Sequence, residues 1–140
     1  NRSFNFKEIV VLLEEKNHET VLEINLDAIT HNLNFYKSKG FMVALDDVGS
    51  GYSSLNMIVQ LLPDIVKVDR EIIKEIDKNR ANQSVFAAIV NIAKENNITV
   101  LAEGIETKEE YLYLKDNGAS LVQGYYFAKP SSEPIRKINF

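Results

Sequence analysis

The sequence predicts an α/β fold in which parallel strands are covered by helices. Three observations carry that reading: short, uniformly apolar runs recur along the chain, amphipathic helical stretches separate them, and each run closes on a polar residue that a core does not need. Strands buried on both faces read as continuous apolar runs, and their alternation with helices implies crossover connections and parallel pairing.

Asn5 and Glu8 form a capping-box pattern, and Phe6, Ile9, Val10, Leu12 and Leu13 then draw an apolar helical stripe ending near Lys16. Residues 20–26 (TVLEINL) predict a short buried strand, and residues 28–39 a second helix closed by Gly40. Residues 41–45 (FMVAL) predict the next strand and 46–52 a glycine-punctuated loop. Ser53 or Ser54 then caps a helix that runs to about Leu62, where Pro63 stops it. Residues 65–68 predict a strand, and a helix follows Asp69. A longer helix from about Gln83 to Glu95 sets Phe86, Ile89, Val90 and Ala93 on one face. Residues 98–102 predict another strand, Thr107 and Glu110 a second capping box, Gly118 the end of that helix, and residues 121–127 (LVQGYYF) the last strand. The tail from about Ser131, with Pro134 and Lys137, predicts a loose chain end.

With 140 residues, 45% hydrophobic and 26% charged, the chain holds one core and one domain. Sixteen basic against twenty acidic residues give a formal charge of −4, which excludes a broad electrostatic grip on a nucleic acid polymer. The absence of cysteine excludes disulfides, thiolate metal sites and a cysteine nucleophile, and fits a reducing compartment. No apolar run approaches the about 20 residues of a spanning helix, and Asn1-Arg2-Ser3 lacks the regions of a signal peptide, so a cytoplasmic location with no membrane contact is expected. A start without methionine leads to the expectation that the chain is a piece of something longer.

The polar strand ends are Glu23, the pair Asp46 and Asp47, Lys67 with Asp69, Glu103, and Gln123. In parallel α/β folds the C-terminal strand ends converge on one face, where active sites are built. Any one such residue reads equally as a helix cap or surface side chain; recurrence on every strand is the signal. Glu23, Asp46 and Asp47 offer hard carboxylate oxygens suited to magnesium, manganese or calcium. Adjacent aspartates point in different directions, so Asp46 and Asp47 fit neighbouring ions in a two-metal phosphoryl-transfer site; an acidic turn capping the next helix is the competing reading. Lys67 suits a water or the charge growing on a phosphate, against a snorkelling surface lysine, and Glu103 suits a ligand or general base. Gly49-Ser50-Gly51 resembles a phosphate-cradling turn, although it is not a P-loop and an unliganded flexible turn has the same composition. His18 and His31 read as surface residues without a role.

Residues 44–55 (ALDDVGSGYSSL) resemble the ALDDFGTGYSSL segment of the EAL-domain phosphodiesterases. Val66-Lys67-Val68-Asp69-Arg70 is similar to that family's IKIDR, residues 102–107 (AEGIET) to its AEGVET, and residues 123–130 (QGYYFAKP) to its QGYLFSKP. The resemblance covers about Leu22 to Pro130 and implies a (β/α)8 TIM-type barrel that uses two divalent cations, Mg2+ or Mn2+, to linearise cyclic di-GMP to pGpG. It implies that Glu23 is a metal ligand, that Asp46 bridges both ions and that Asp47 holds the second. Lys67 would contact the nucleophilic water, Glu103 would be the essential base or ligand, and Gln123 would line the site. The resemblance further implies that Gly49, Ser50 and Gly51 correspond to the family's loop coupling substrate, metals and dimerisation; Tyr125 would contact substrate or fill core.

The departures are as specific. The chain contains no Glu-Ala-Leu tripeptide and no Asn-containing third-strand motif, so two of the family's metal ligands and a phosphate-binding arginine are missing. Leu26 stands where the family's first motif has a second glutamate, Val48 stands where it has phenylalanine, and the stretch from Glu23 to Asp46 is shorter than usual. Such a barrel takes roughly 250 residues. The expectation is therefore an incomplete barrel of about five parallel strands with flanking helices, residues 1–140 being the C-terminal portion of a single EAL domain. Open strand edges predict self-association or pairing with the missing N-terminal part. The piece is expected to be inactive alone; the alternative is a degenerate EAL domain that acts as a non-catalytic cyclic di-GMP receptor or interaction module.

Overall fold

The computed structural model describes residues 31–49 and 54–131. The helix expected before Lys16, His18, the strand at 20–26 with Glu23, the start of the helix over 28–39, Ser50 to Ser53, and the tail beyond Ser131 lie outside the described residues. After a helix at 31–38 (α1), four strands follow in one sheet: β1 (Ala44–Val48), β2 (Ile65–Val68), β3 (Thr99–Ala102) and β4 (Leu121–Val122). They lie in chain order and every pair is parallel. The crossovers carry α2 (Ser54–Leu61) between β1 and β2, α3 (Arg70–Ile73) and α4 (Arg80–Glu95) between β2 and β3, and α5 (Lys108–Asp116) between β3 and β4. The predicted parallel α/β architecture is observed, and no helix among the described residues is long and apolar enough to cross a membrane.

Strand periodicity sorts the side chains onto two faces. Leu45, Val66 and Val100 stand in one register row, and with Val48, Val68 and Ala102 they are buried. They form one core with Ile58, Ile73, Ile76, Phe86, Ile89, Ile105 and Leu114. The alternate positions, Ile65 and Lys67 on β2 and Thr99 and Leu101 on β3, are only half-buried and face the other way. The helices therefore cover one face, and the polar strand ends belong to the other.

Several boundaries differ from expectation, each for a local reason. β1 lies three residues later than the FMVAL run, so Asp46 and Asp47 stand within the strand rather than in a loop; Phe41 and Met42 are exposed. Val43 is held instead by Asp64, whose Oδ2 accepts its N–H at 2.7 Å. The helix after Asp69 is a single turn: Asp69 caps it by accepting the Glu71 N–H at 2.7 Å, and the left-handed backbone of Glu75 (φ 53°) ends it. α4 starts at Arg80 rather than Gln83 because Asn79 is its cap, accepting the N–H groups of Ala81 and Asn82 at 3.0 and 3.2 Å. β4 stops after two residues, since residues 123–127 turn back upon Ile105: its N–H donates to the Gln123 carbonyl at 3.1 Å and its carbonyl accepts the Tyr126 N–H at 3.0 Å. The aromatic run that reads as strand is here a packing cluster, with the Tyr126 and Phe127 rings 6.0 and 5.3 Å from that of Tyr111.

The expected Thr107–Glu110 capping box forms, and Glu110 does more than cap. Among the described residues it is a charged side chain buried in the core. Its Oε2 accepts the N–H groups of Glu106 and Thr107 at 2.9 and 3.1 Å, while Oε1 accepts the N–H of Glu75 at 2.9 Å. One carboxylate thus ties the loop after β3 to the loop after α3.

Burial alone would push the Glu110 carboxyl's pKa up, but the amides of Glu106, Glu75 and Thr107 outweigh it and hold it below its ordinary value. A group whose pKa is depressed on folding contributes stability that is present above its unfolded value, about 4.3, and lost as pH falls through the folded one. Glu110→Gln should therefore lose less stability than the parent on acidification below about pH 4. Glu110→Ala, which orphans three N–H groups, should cost about 2–4 kcal/mol. Urea unfolding at several pH values reads both; parallel acid limbs would overturn the first.

Candidate active site

The C-terminal ends of β1, β2 and β3 deliver Asp46, Lys67 and Glu103 to one spot. The Lys67 Nζ lies 2.9 Å from Asp46 Oδ1 and 3.1 Å from Glu103 Oε1, each side chain roughly one-quarter to one-third exposed. Parallel register produces this meeting: Glu103 follows directly on β3, its N–H donating to the Val68 carbonyl at 3.2 Å, and Lys67 lies one residue back on β2. Partial burial would lower the Lys67 pKa, yet the hydrogen bonds and charges of Asp46 and Glu103 outweigh it and hold the ammonium above its ordinary value.

Asp46 and Asp47 owe their arrangement to a bulge. Leu45 is opposite Val66 and Val48 is opposite Val68, so two residues of β1 span what one residue spans on β2. Asp47 carries the irregularity in a left-handed conformation (φ 54°), which aspartate tolerates better than most residues because its short side chain bonds locally. The Asp47 N–H also donates to Asp46 Oδ1 at 3.0 Å. The bulge lets both aspartates sit at the strand end while Val48 returns to the core, where it is buried.

Gly49 follows at once, and a Cβ there would lie 2.4 Å from Ile72 Cγ1, so this glycine serves close packing of the strand end on α3. The Gln123 N–H donates to the Ala102 carbonyl at 2.9 Å, which sets the residue beside Glu103. Gln123 and the exposed Tyr125 line an open pocket of about 560 Å3 together with Arg70, Gly104, Lys129 and Pro130. His31 is exposed, as expected. Sequence reasoning singled out no role for Arg70 or Glu106, although both lie in the quoted motifs; the signal available was their opposite charge, two residues after the end of β2 and four after the end of β3. Their side chains form an ion pair.

Hard oxygens matching a divalent cation are present in kind, because two carboxylates already converge on a cation, the Lys67 ammonium. They fall short in number: among the described residues no three acidic or histidine side chains gather to hold a metal ion.

The EAL domain profile matches residues 4–130. A probable cyclic di-GMP phosphodiesterase of Escherichia coli, PdeG, is 33% identical over 91% of this chain and 25% of its own length. The cyclic di-GMP phosphodiesterase NbdA of Pseudomonas aeruginosa is 36% identical over 84% of the chain and 15% of its own length. Among solved structures, a standalone EAL protein of Vibrio cholerae in its c-di-GMP-bound form superposes with a TM-score of 0.76 at 40% identity, covering 83% of this chain and 49% of that one. Klebsiella pneumoniae BlrP1, in a complex with manganese and cyclic di-GMP, superposes at 0.72 with 36% identity, covering 80% of this chain and 29% of that one. The parallel sheet with its helical cover is thus part of a TIM-type barrel. The chain belongs to the EAL domain family, and it spans about a quarter or less of the curated relatives' lengths.

The bulge can be tested by its backbone. Asp47→Gly should be more stable than Asp47→Val by at least about 1 kcal/mol, since only the β-branched residue resists a positive φ. Equal unfolding midpoints would mean that the strand end relaxes to another conformation.

Proposed function

We propose that this chain carries part of the site of a metal-dependent phosphodiesterase that opens cyclic di-GMP to pGpG. The observation that carries the reading is the placement of Lys67 between Asp46 and Glu103 at adjacent parallel strand ends. In the reaction a water oxygen bonds to one phosphorus, the bond from that phosphorus to the 3′ oxygen breaks, and the freed 3′ oxygen takes up a proton. Lys67 orients the water and offsets charge on the phosphoryl oxygens, and Glu103 accepts the water's proton. Asp46 and Asp47, with Glu23, are the carboxylates that would hold Mg2+ or Mn2+. When bound, such ions supply Lewis-acid polarisation of the phosphoryl oxygens. Gln123, Gly49, Ser50, Gly51 and Tyr125 bound the substrate. The named activities and the manganese and calcium complexes of the relatives support the metal and the nucleotide.

Residues 1–140 form the C-terminal portion of one EAL domain, acting in the cytoplasm and inactive until the rest of the barrel, or a second copy, covers the open edge. The receptor reading, binding without turnover, draws on one observation: Lys67 is already paired with both carboxylates.

The isolated chain with magnesium or manganese should not hydrolyse cyclic di-GMP in a chromatographic assay for pGpG; turnover would show that these strands suffice. In a protein that completes the barrel, Glu103→Gln should lower kcat by roughly 100-fold or more while the Kd for cyclic di-GMP stays within about threefold. Loss of binding instead would assign Glu103 to the architecture.

A further inference from the structure

The chain is net negative, yet the pocket beside Gln123 presents two cations, Arg70 and Lys129, with the half-exposed ring of Tyr125. That combination suits a phosphate attached to a flat ring. One carboxylate works against it: Glu106 pairs with the Arg70 guanidinium. We propose that Glu106 is an internal counter-anion that holds Arg70 until a ligand phosphate displaces it, so that the Arg70–Glu106 pair is a latch on the pocket. The nucleotide form of the proposal rests on the phosphodiesterase reading above; the exchange of anions on Arg70 does not.

Three features build the latch. Gly104 has a left-handed backbone (φ 74°), and a Cβ on it would lie 2.8 Å from both Cβ and Cγ of Arg70, so the arginine stem lies along the loop after β3 in space that only glycine leaves. That path carries the guanidinium past the pocket wall to Glu106. The Glu106 backbone is fixed in turn, because its N–H donates to the buried Glu110 at 2.9 Å, and the same carboxylate anchors Glu75 beyond α3. One buried group thus bonds both the Glu106 backbone and the end of the short helix that begins with Arg70.

The pair itself remains open to exchange, with the Arg70 and Glu106 side chains 45% and 43% exposed. An exposed ion pair is a weak bond. A guanidinium offers a planar fork that two phosphoryl oxygens engage bidentately; a phosphodiester brings one negative charge, as the carboxylate does, but in the pocket it also meets Lys129 as a second cation. Displacement of Glu106 by phosphate is therefore favourable, and the cost of breaking the pair discriminates against weaker anions.

Isothermal titration of the chain with cyclic di-GMP, and separately with inorganic pyrophosphate, tests this in four forms: the parent, Glu106→Gln, Arg70→Ala and the double variant. Circular dichroism checks the fold of each. Glu106→Gln should tighten binding at least threefold and Arg70→Ala weaken it at least tenfold. The double variant should match Arg70→Ala, because without the guanidinium Glu106 has nothing to compete for; a general charge effect would persist there. Unchanged or weaker binding by Glu106→Gln overturns the latch, as does indifference to Arg70→Ala. Pyrophosphate binding with the expected pattern but no cyclic di-GMP binding keeps the latch and sinks the nucleotide reading. Cyclic di-GMP binding indifferent to all three variants does the reverse. No binding of either probe by the parent or by Glu106→Gln rejects both.

Discussion

Parallel pairing of β1, β2 and β3 is the constraint from which the candidate site follows. In an antiparallel sheet alternate strand ends leave on opposite edges, and Lys67 would be a strand length from Asp46 and Glu103. Here two successive crossovers return the chain to the same edge, and the ladder fixes the relative height of the ends to within a residue. A lysine and two carboxylates then meet with no loop contributing to the alignment. Their attraction is modest while partly exposed, so the sheet places the charges more than the charges hold the sheet.

The second organising element is Glu110. A buried carboxylate is costly unless fully hydrogen-bonded, and this one accepts three backbone N–H groups from two loops. The loop after β3, which carries Glu106, and the loop after α3, the short helix that starts at Arg70, are thereby tied together. The rim of the pocket is as well anchored as its floor.

The class of fold was legible because apolar runs and helical stripes alternate, and Asp46, Lys67, Glu103 and Gln123 were legible because strand ends interrupt that pattern with charge or amide. The boundaries were not. FMVAL is as apolar as a strand, but Asp64 captures Val43 and the ladder starts later. YYF has strand composition, yet it turns to satisfy both polar groups of Ile105 and to stack on Tyr111. Asn79 was overlooked as a cap because no glutamate follows it three residues later. The dual attachment of Glu110 lay beyond reading: the capping box is a local pattern, while the bond to Glu75 depends on a fold that brings residues 35 apart together.

The bulge at Asp46–Asp47 has a further consequence. Because it shifts β1 by one residue between Leu45 and Val48, the acidic pair sets the phase of the strand as well as its chemistry. Delete either aspartate and β1 regains plain alternation: Val48, now two residues after Leu45, keeps its place opposite Val68 in the helical layer, and the ladder closes without the bulge. The extra residue is therefore not required by the core. The sheet would survive its loss, and the strand end would carry one carboxylate in place of two.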